Sequence, residues 1–126
     1  MVMARGSSVC PRYHQAVELL GRRWAGAIIR LLLSGPCRYN ELRARIPDIS
    51  DRMLAERLKE LELEGVVART VLPEAPIGVE YALTEKGKAL EAPVMAIGRW
   101  AEKWLAAPTP SKTSPASAKL SGSRRR

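Results

Sequence analysis

Three kinds of side chain in this sequence have chemistry to offer: two thiols (Cys10 and Cys37), one imidazole (His14), and a file of polar groups at Arg52, Glu56 and Lys59. A thiol can act as a nucleophile and an imidazole as its base, but nothing beside His14 suggests a Ser-His or Cys-His pair. There is no G-x-G-x-x-G, Walker phosphate loop or H-E-x-x-H, and the carboxylates fall mostly where exposed helix faces are expected. The cysteines stand apart, without a C-x-x-C or a Cys/His cluster, so neither a disulfide framework nor a metal site is indicated. No enzymatic activity and no cofactor are expected. The polar file is a different matter. Leu54, Leu58 and Leu61 recur at i, i+4 and i+7, and at about 100° per residue Arg52, Glu56 and Lys59 project from the opposite side, flanked by Met53, Ala55 and Glu60. An arginine can bond guanine bidentately, a glutamate can accept from a cytosine amino group, and a lysine can neutralise a phosphate.

The elements that must hold this file can be read from spacing and punctuation. Ser50 suits an N-cap and Gly65 a stop, which predicts a helix between them. Before it, Asn40 can cap a short helix through Ile46, with Pro47-Asp48-Ile49 as the turn, giving the helix, connection, helix order of a helix-turn-helix. Cys37, Arg38 and Tyr39 read as a strand stub. After Gly65 the period changes from 3.6 to 2: Val67, Arg69 and Val71 alternate, Pro73 to Gly78 turns the chain, and Val79, Tyr81 and Leu83 share a face. A two-stranded ribbon directly after such a helix is a wing. The expected class is therefore α+β, mainly α: a winged helix-turn-helix whose Ser50 to Lys59 segment enters the DNA major groove.

Upstream, Pro11 suits the first position of a helix carrying Tyr13, Val17 and Leu20 on one face, ended by Gly21. A second helix, roughly Arg23 to Ser34, presents Trp24, Ile28 and Leu31 and stops at Gly35-Pro36. Downstream, Thr84 is a suitable cap for a helix that includes Ala89 and Leu90. Pro93 then kinks or restarts the chain into Val94 to Ala106. There Val94, Ile97, Ala101 and Trp104 follow a coiled-coil seam that suits a second copy of the chain.

A chain of 126 residues with 46% hydrophobic side chains fits a single domain. Residues 1–9 read as a flexible arm, 10–107 as the folded DNA-binding and dimerisation domain, and 108–126 as a disordered basic tail. The formal net charge is +8, but Lys112, Lys119, Arg124, Arg125 and Arg126 lie in that tail, so the folded part is only mildly basic. No apolar run approaches the roughly 20 residues that span a bilayer, and the N-terminus lacks a signal-peptide core. A cytoplasmic protein without a membrane partner is expected.

Several strings, taken in order, resemble the HxlR family of bacterial transcriptional regulators, a winged-helix group close to the MarR type. They are Cys10-Pro11, the LLGRRW ending at Trp24, RYNEL from Arg38 to Leu42, IPDISDRMLAERLKELELEG from Ile46 to Gly65, and VEYALTEKGKAL from Val79 to Leu90. The resemblance implies a homodimer built by the N- and C-terminal helices, with Tyr13, Val17, Leu20, Val94, Ile97, Ala101 and Trp104 at its interface. It also implies a repressor of a partly palindromic operator. Family members often respond to oxidants or reactive electrophiles, some through a cysteine at the position of Cys10, so a small-molecule or oxidant effector acting there is an open expectation.

The DNA-binding residues expected on this reading are Arg38, Arg43, Ser50, Arg52, Met53, Ala55, Glu56, Arg57, Lys59 and Arg69. Several have a competing explanation. Ser50 is accounted for by capping alone, Glu56 by an i, i+4 pair with Arg52, Arg57 by a partly buried ion pair, and Arg43 by solvated surface charge. Cys37 is expected to pack inside. The alternatives for the whole protein are a winged-helix protein-interaction module and a general nucleoid-associated DNA binder.

Overall fold

Three leucines decide where the longest helix of the winged motif lies. In the computed structural model, which describes residues 10–74 and 78–107, helix α4 (Asp51–Leu63) buries Leu54, Leu58 and Leu61 completely. Its N-terminus is closed by Ser50, whose Oγ accepts from the Met53 amide at 3.0 Å. Its C-terminus ends in a Schellman arrangement: the Val66 amide donates to Leu61 O and the Gly65 amide to Glu62 O, with Gly65 at φ 77°. A side chain at that φ is disfavoured, so glycine ends the helix there.

Around α4 the order is α1 (Pro11–Gly21), α2 (Ala25–Leu32), β1 (Cys37–Arg38), α3 (Tyr39–Arg45), then α4, β2 (Val67–Leu72), β3 (Gly78–Leu83), α5 (Glu85–Lys88) and α6 (Glu91–Trp104). The core gathers Ile28, Ile29 and Leu32 of α2, Leu42 of α3, Ile46 and Ile49 of the turn, the α4 leucines, and Val66, Val67, Tyr81 and Leu83 around the sheet. Burying this apolar set supplies the main driving force of folding, at about 25 cal/mol per Å². The predicted arm (1–9) and basic tail (108–126) lie outside the described residues.

The fold departs from the sequence reading at several points. Helix α2 begins at Ala25 rather than Arg23, because Trp24 takes a left-handed conformation, φ 74°, that no α-helix can contain. The cap of α3 is Arg38, not Asn40: the helix starts at Tyr39, and the Arg38 amide donates to Glu41 Oε1 at 2.7 Å. The strand stub joins the ribbon, pairing Cys37 with Tyr81 and Arg38 with Glu80, so the sheet has three antiparallel strands in the order β1-β3-β2. Helix α5 stops at Lys88, and α6 restarts at Glu91 with Pro93 in its first turn, where the missing amide leaves no bond unmade. Alternation in β2 lapses after buried Val67, and Val71 is exposed, because the ribbon runs beyond the core.

Candidate nucleic-acid interface

The first turn of α4 is fixed to α3 by two contacts that meet on Asp51. Arg43 Nε donates to Asp51 Oδ1 at 2.5 Å, and the Tyr39 hydroxyl donates to the Asp51 carbonyl at 3.1 Å. The carboxylate also sits at the positive end of the α4 dipole. These bonds set the angle between the two helices and so the direction in which the outer face of α4 points. Arg43, expected among the DNA-binding residues, is thus in part a structural tie, although its side chain remains partly exposed.

On the outer face of α4, Arg52, Ala55, Glu56 and Lys59 are all exposed. No salt bridge joins Arg52 to Glu56 among the described residues, so the i, i+4 pairing that competed with base contact is not formed. Ser50 is exposed at the same end, and while its oxygen caps the helix its own hydroxyl proton is left to donate. Arg69 is exposed on β2 opposite Tyr81, midway along the ribbon rather than at its tip. Arg38 is half-buried and belongs to the β1–α3 junction.

Packing draws two of the expected DNA-binding side chains toward the interior. Met53, on the flank of the polar file, is half-buried and packs against the core. Arg57 is drawn inward, with its side chain 15% exposed: Nε donates to the Arg23 carbonyl at 2.8 Å and Nη1 to Glu60 Oε1 at 3.0 Å. Glu60 also receives Arg22 Nη1 at 3.3 Å. This cluster joins the α1–α2 connection to the middle of α4. In the sequence Glu60 stands only as a flank of the polar file and Arg22 is not singled out, since these two lie far apart along the chain and their pairing leaves no local signal.

Cys10 is half-buried at the N-cap of α1, with Pro11 next in the chain, and forms no disulfide. Tyr13 (62% exposed) and Val17 on α1, and Ile97, Trp100, Trp104 (66% exposed) and Leu105 on or beside α6, stand in solvent. Val94 and Leu20 are instead packed in part against the core, and Ala101 is half-buried, so the predicted seam is divided between the protein's own core and an open surface.

Two groups, buried Cys37 and half-buried Tyr39, carry a pH dependence. Burial pushes the Cys37 thiol up, opposed by Arg45, and burial followed by the Asp51 charge pushes the Tyr39 phenol up. Both favour the neutral form in the fold, so their stabilisation is fully present below the ordinary thiol and phenol ranges. It is lost as pH rises through and beyond them. Urea midpoints measured from about pH 8 to about pH 11 should fall progressively, with Cys37→Ala removing the lower part of the slope. A flat profile would count against it.

The HxlR-like helix-turn-helix family model matches residues 19–109, which takes in the helix-turn-helix, the wing and α6. The chain belongs to the HxlR-like family. It is 52% identical over 100 residues to the HTH-type transcriptional regulator YvaP of Bacillus subtilis, covering 79% of this chain and 92% of YvaP. Among solved structures, the reduced form of the transcriptional regulator YodB from B. subtilis superposes with a TM-score of 0.71 at 50% identity, covering 78% of this chain and 96% of that one. The redox regulator HypR in its oxidized form gives a TM-score of 0.71 at 37% identity, covering 78% of this chain and all of HypR. This HxlR-like protein is accordingly a helix-turn-helix transcriptional regulator with a winged-helix fold, and no helix among its described residues is long and apolar enough to cross a membrane.

Proposed function

We propose that this HxlR-like protein is a homodimeric repressor that reads a partly palindromic operator by seating Ser50 to Lys59 in the major groove. The observation that carries this reading is the outer face of α4, where Arg52, Glu56 and Lys59 are exposed with no ion pair among the described residues. Groups free of internal partners lose nothing within the fold when they bond bases or phosphates. Dimerisation through the exposed apolar side chains of α1 and α6 would bring two such helices about 34 to 36 Å apart, matching half-sites one duplex turn apart. A gel-shift assay against the protein's own upstream region tests this: retardation should survive non-specific competitor and weaken steeply with salt. Retardation that the competitor abolishes would contradict sequence-specific reading.

The same reading assigns signal reception to Cys10. Related structures include a quinone-bound YodB and an oxidized HypR, and in this chain Cys10 stands at the head of α1, whose exposed Tyr13 and Val17 face the proposed partner. A modification at the head of α1 would alter how two subunits pair. Diamide or quinone treatment should change operator affinity by a factor on the order of 10, and Cys10→Ser should remove the change. Superimposable binding curves for treated and untreated wild-type protein would refute the assignment.

A further inference from the structure

We infer a second effector site, distinct from Cys10, in a cavity of about 360 Å³ between α2 and the turn that follows α3. Trp24 and Leu31 line it from one side, Ile46 and Pro47 from the other, and Arg30, Arg45 and Asp48 contribute its charges. Its occupant is a planar aromatic monocarboxylate.

The first argument is the shape of the backbone. Trp24, at φ 74°, is the non-glycine residue with positive φ among the described residues, and a bulky side chain in that region must be held there by its surroundings. What holds it is the recognition helix. Arg57 of α4 bonds the Arg23 carbonyl at 2.8 Å, Glu60 of α4 pairs with Arg22 at 3.3 Å, and the Arg23 guanidinium lies 5.1 Å from the centre of the Trp24 ring. An otherwise disfavoured conformation therefore places an indole at the cavity wall.

The second argument is charge. Arg30 and Arg45 are exposed and form no ion pair with each other's neighbours or with Asp48 among the described residues. Each lies in the last turn of its helix, where the carbonyl ends attract a cation, but that accounts for neither their meeting at one cavity nor the form of Trp24. Two guanidiniums against one carboxylate leave one positive charge unbalanced, which selects a monoanion. The indole with the aliphatic Leu31, Ile46 and Pro47 selects a flat apolar body.

Occupancy would reach α4 by two routes. One runs through Trp24 and Arg23 to Arg57, and the other from Pro47 and Asp48 along the turn to the Ser50 cap. A ligand that binds the two orientations of α4 unequally must change operator affinity, and operator must change ligand affinity by the same factor. This coupling rests on the DNA-binding reading above; ligand binding does not, so it is measured first without DNA.

The probe is 2-naphthoate, titrated calorimetrically into the full-length reduced protein. Saturation at one per chain is expected, with Arg30→Gln and Arg45→Gln each weakening binding tenfold or more, and neutral 2-naphthalenemethanol binding tenfold or more weakly. As a measurement independent of any variant, the indole N–H resonance of Trp24, assigned by Trp24→Phe, should shift with naphthoate. Absence of saturable binding, equal binding of the neutral compound, binding indifferent to both arginine variants, or a stationary Trp24 resonance would overturn the site. With the operator in hand, naphthoate should shift its affinity by about fivefold or more. Binding that leaves operator affinity unchanged would overturn the coupling.

Discussion

Gly87→Ala is expected to destabilise this protein by about 3 kcal/mol, a large part of the stability of a domain this size. A Cβ at position 87 would stand 2.2 Å from the Val66 carbonyl oxygen and 3.0 Å from Leu83 Cδ2. Neither neighbour can yield cheaply. The Val66 carbonyl already accepts from the Thr84 amide, and Thr84 is tied to the end of α4 through its hydroxyl on Gly65 O while capping α5 by accepting from the Gly87 amide at 3.1 Å. Lys86 Nζ adds a bond to Glu64 O at 2.6 Å. To admit one methyl group, α5 must back away from the α4–β2 junction and loosen all of these. Urea midpoints should fall sharply for Gly87→Ala. They should stay nearly unchanged for Gly21→Ala, where nothing lies within 4 Å of the added carbon. Equal midpoints for the two variants would remove the argument.

The second large effect falls on DNA binding. Arg52→Ala should weaken operator binding by about 1 to 3 kcal/mol at each half-site, roughly 5- to 150-fold, and should relax preference at one base position. Thermal stability should not move, because Arg52 is exposed and without an ion pair among the described residues. Arg57→Ala should behave in the opposite way. It leaves Glu60 with less compensation and the Arg23 carbonyl without its donor, so stability falls first and affinity only as a consequence. Fluorescence anisotropy on operators with single-base changes, at one fixed salt concentration, separates the two variants. If Arg52→Ala bound every operator as the wild type does, the outer face of α4 would not be reading bases.

Comparing residues 52 and 57 shows how far local spacing carries. Both are arginines on one helix, and rotation about its axis puts Arg52 opposite the leucines and Arg57 near their edge. That much suffices to leave Arg57 undecided between phosphate and ion pair. The choice was made by the Arg23 carbonyl, 34 residues away, brought within 2.8 Å by packing of the α1–α2 connection on α4. Met53 tells the same story: it lies on the flank of the helical wheel but turns toward the core.

The sequence by itself determined the helix-turn-helix, the Ser50 cap, the Gly65 stop, the wing and the outward file Arg52, Glu56 and Lys59. All of these depend on neighbours within a few residues, through periodicity, capping bonds and the conformational freedom of glycine. Tertiary structure alone decided the left-handed turn at Trp24, the pairing of Cys37-Arg38 as a third strand, the inward fate of Arg57, and the cavity shared by α2 and the turn after α3. In each case the deciding partner lies far along the chain, and no spacing within one element can specify which distant atom will be brought against it.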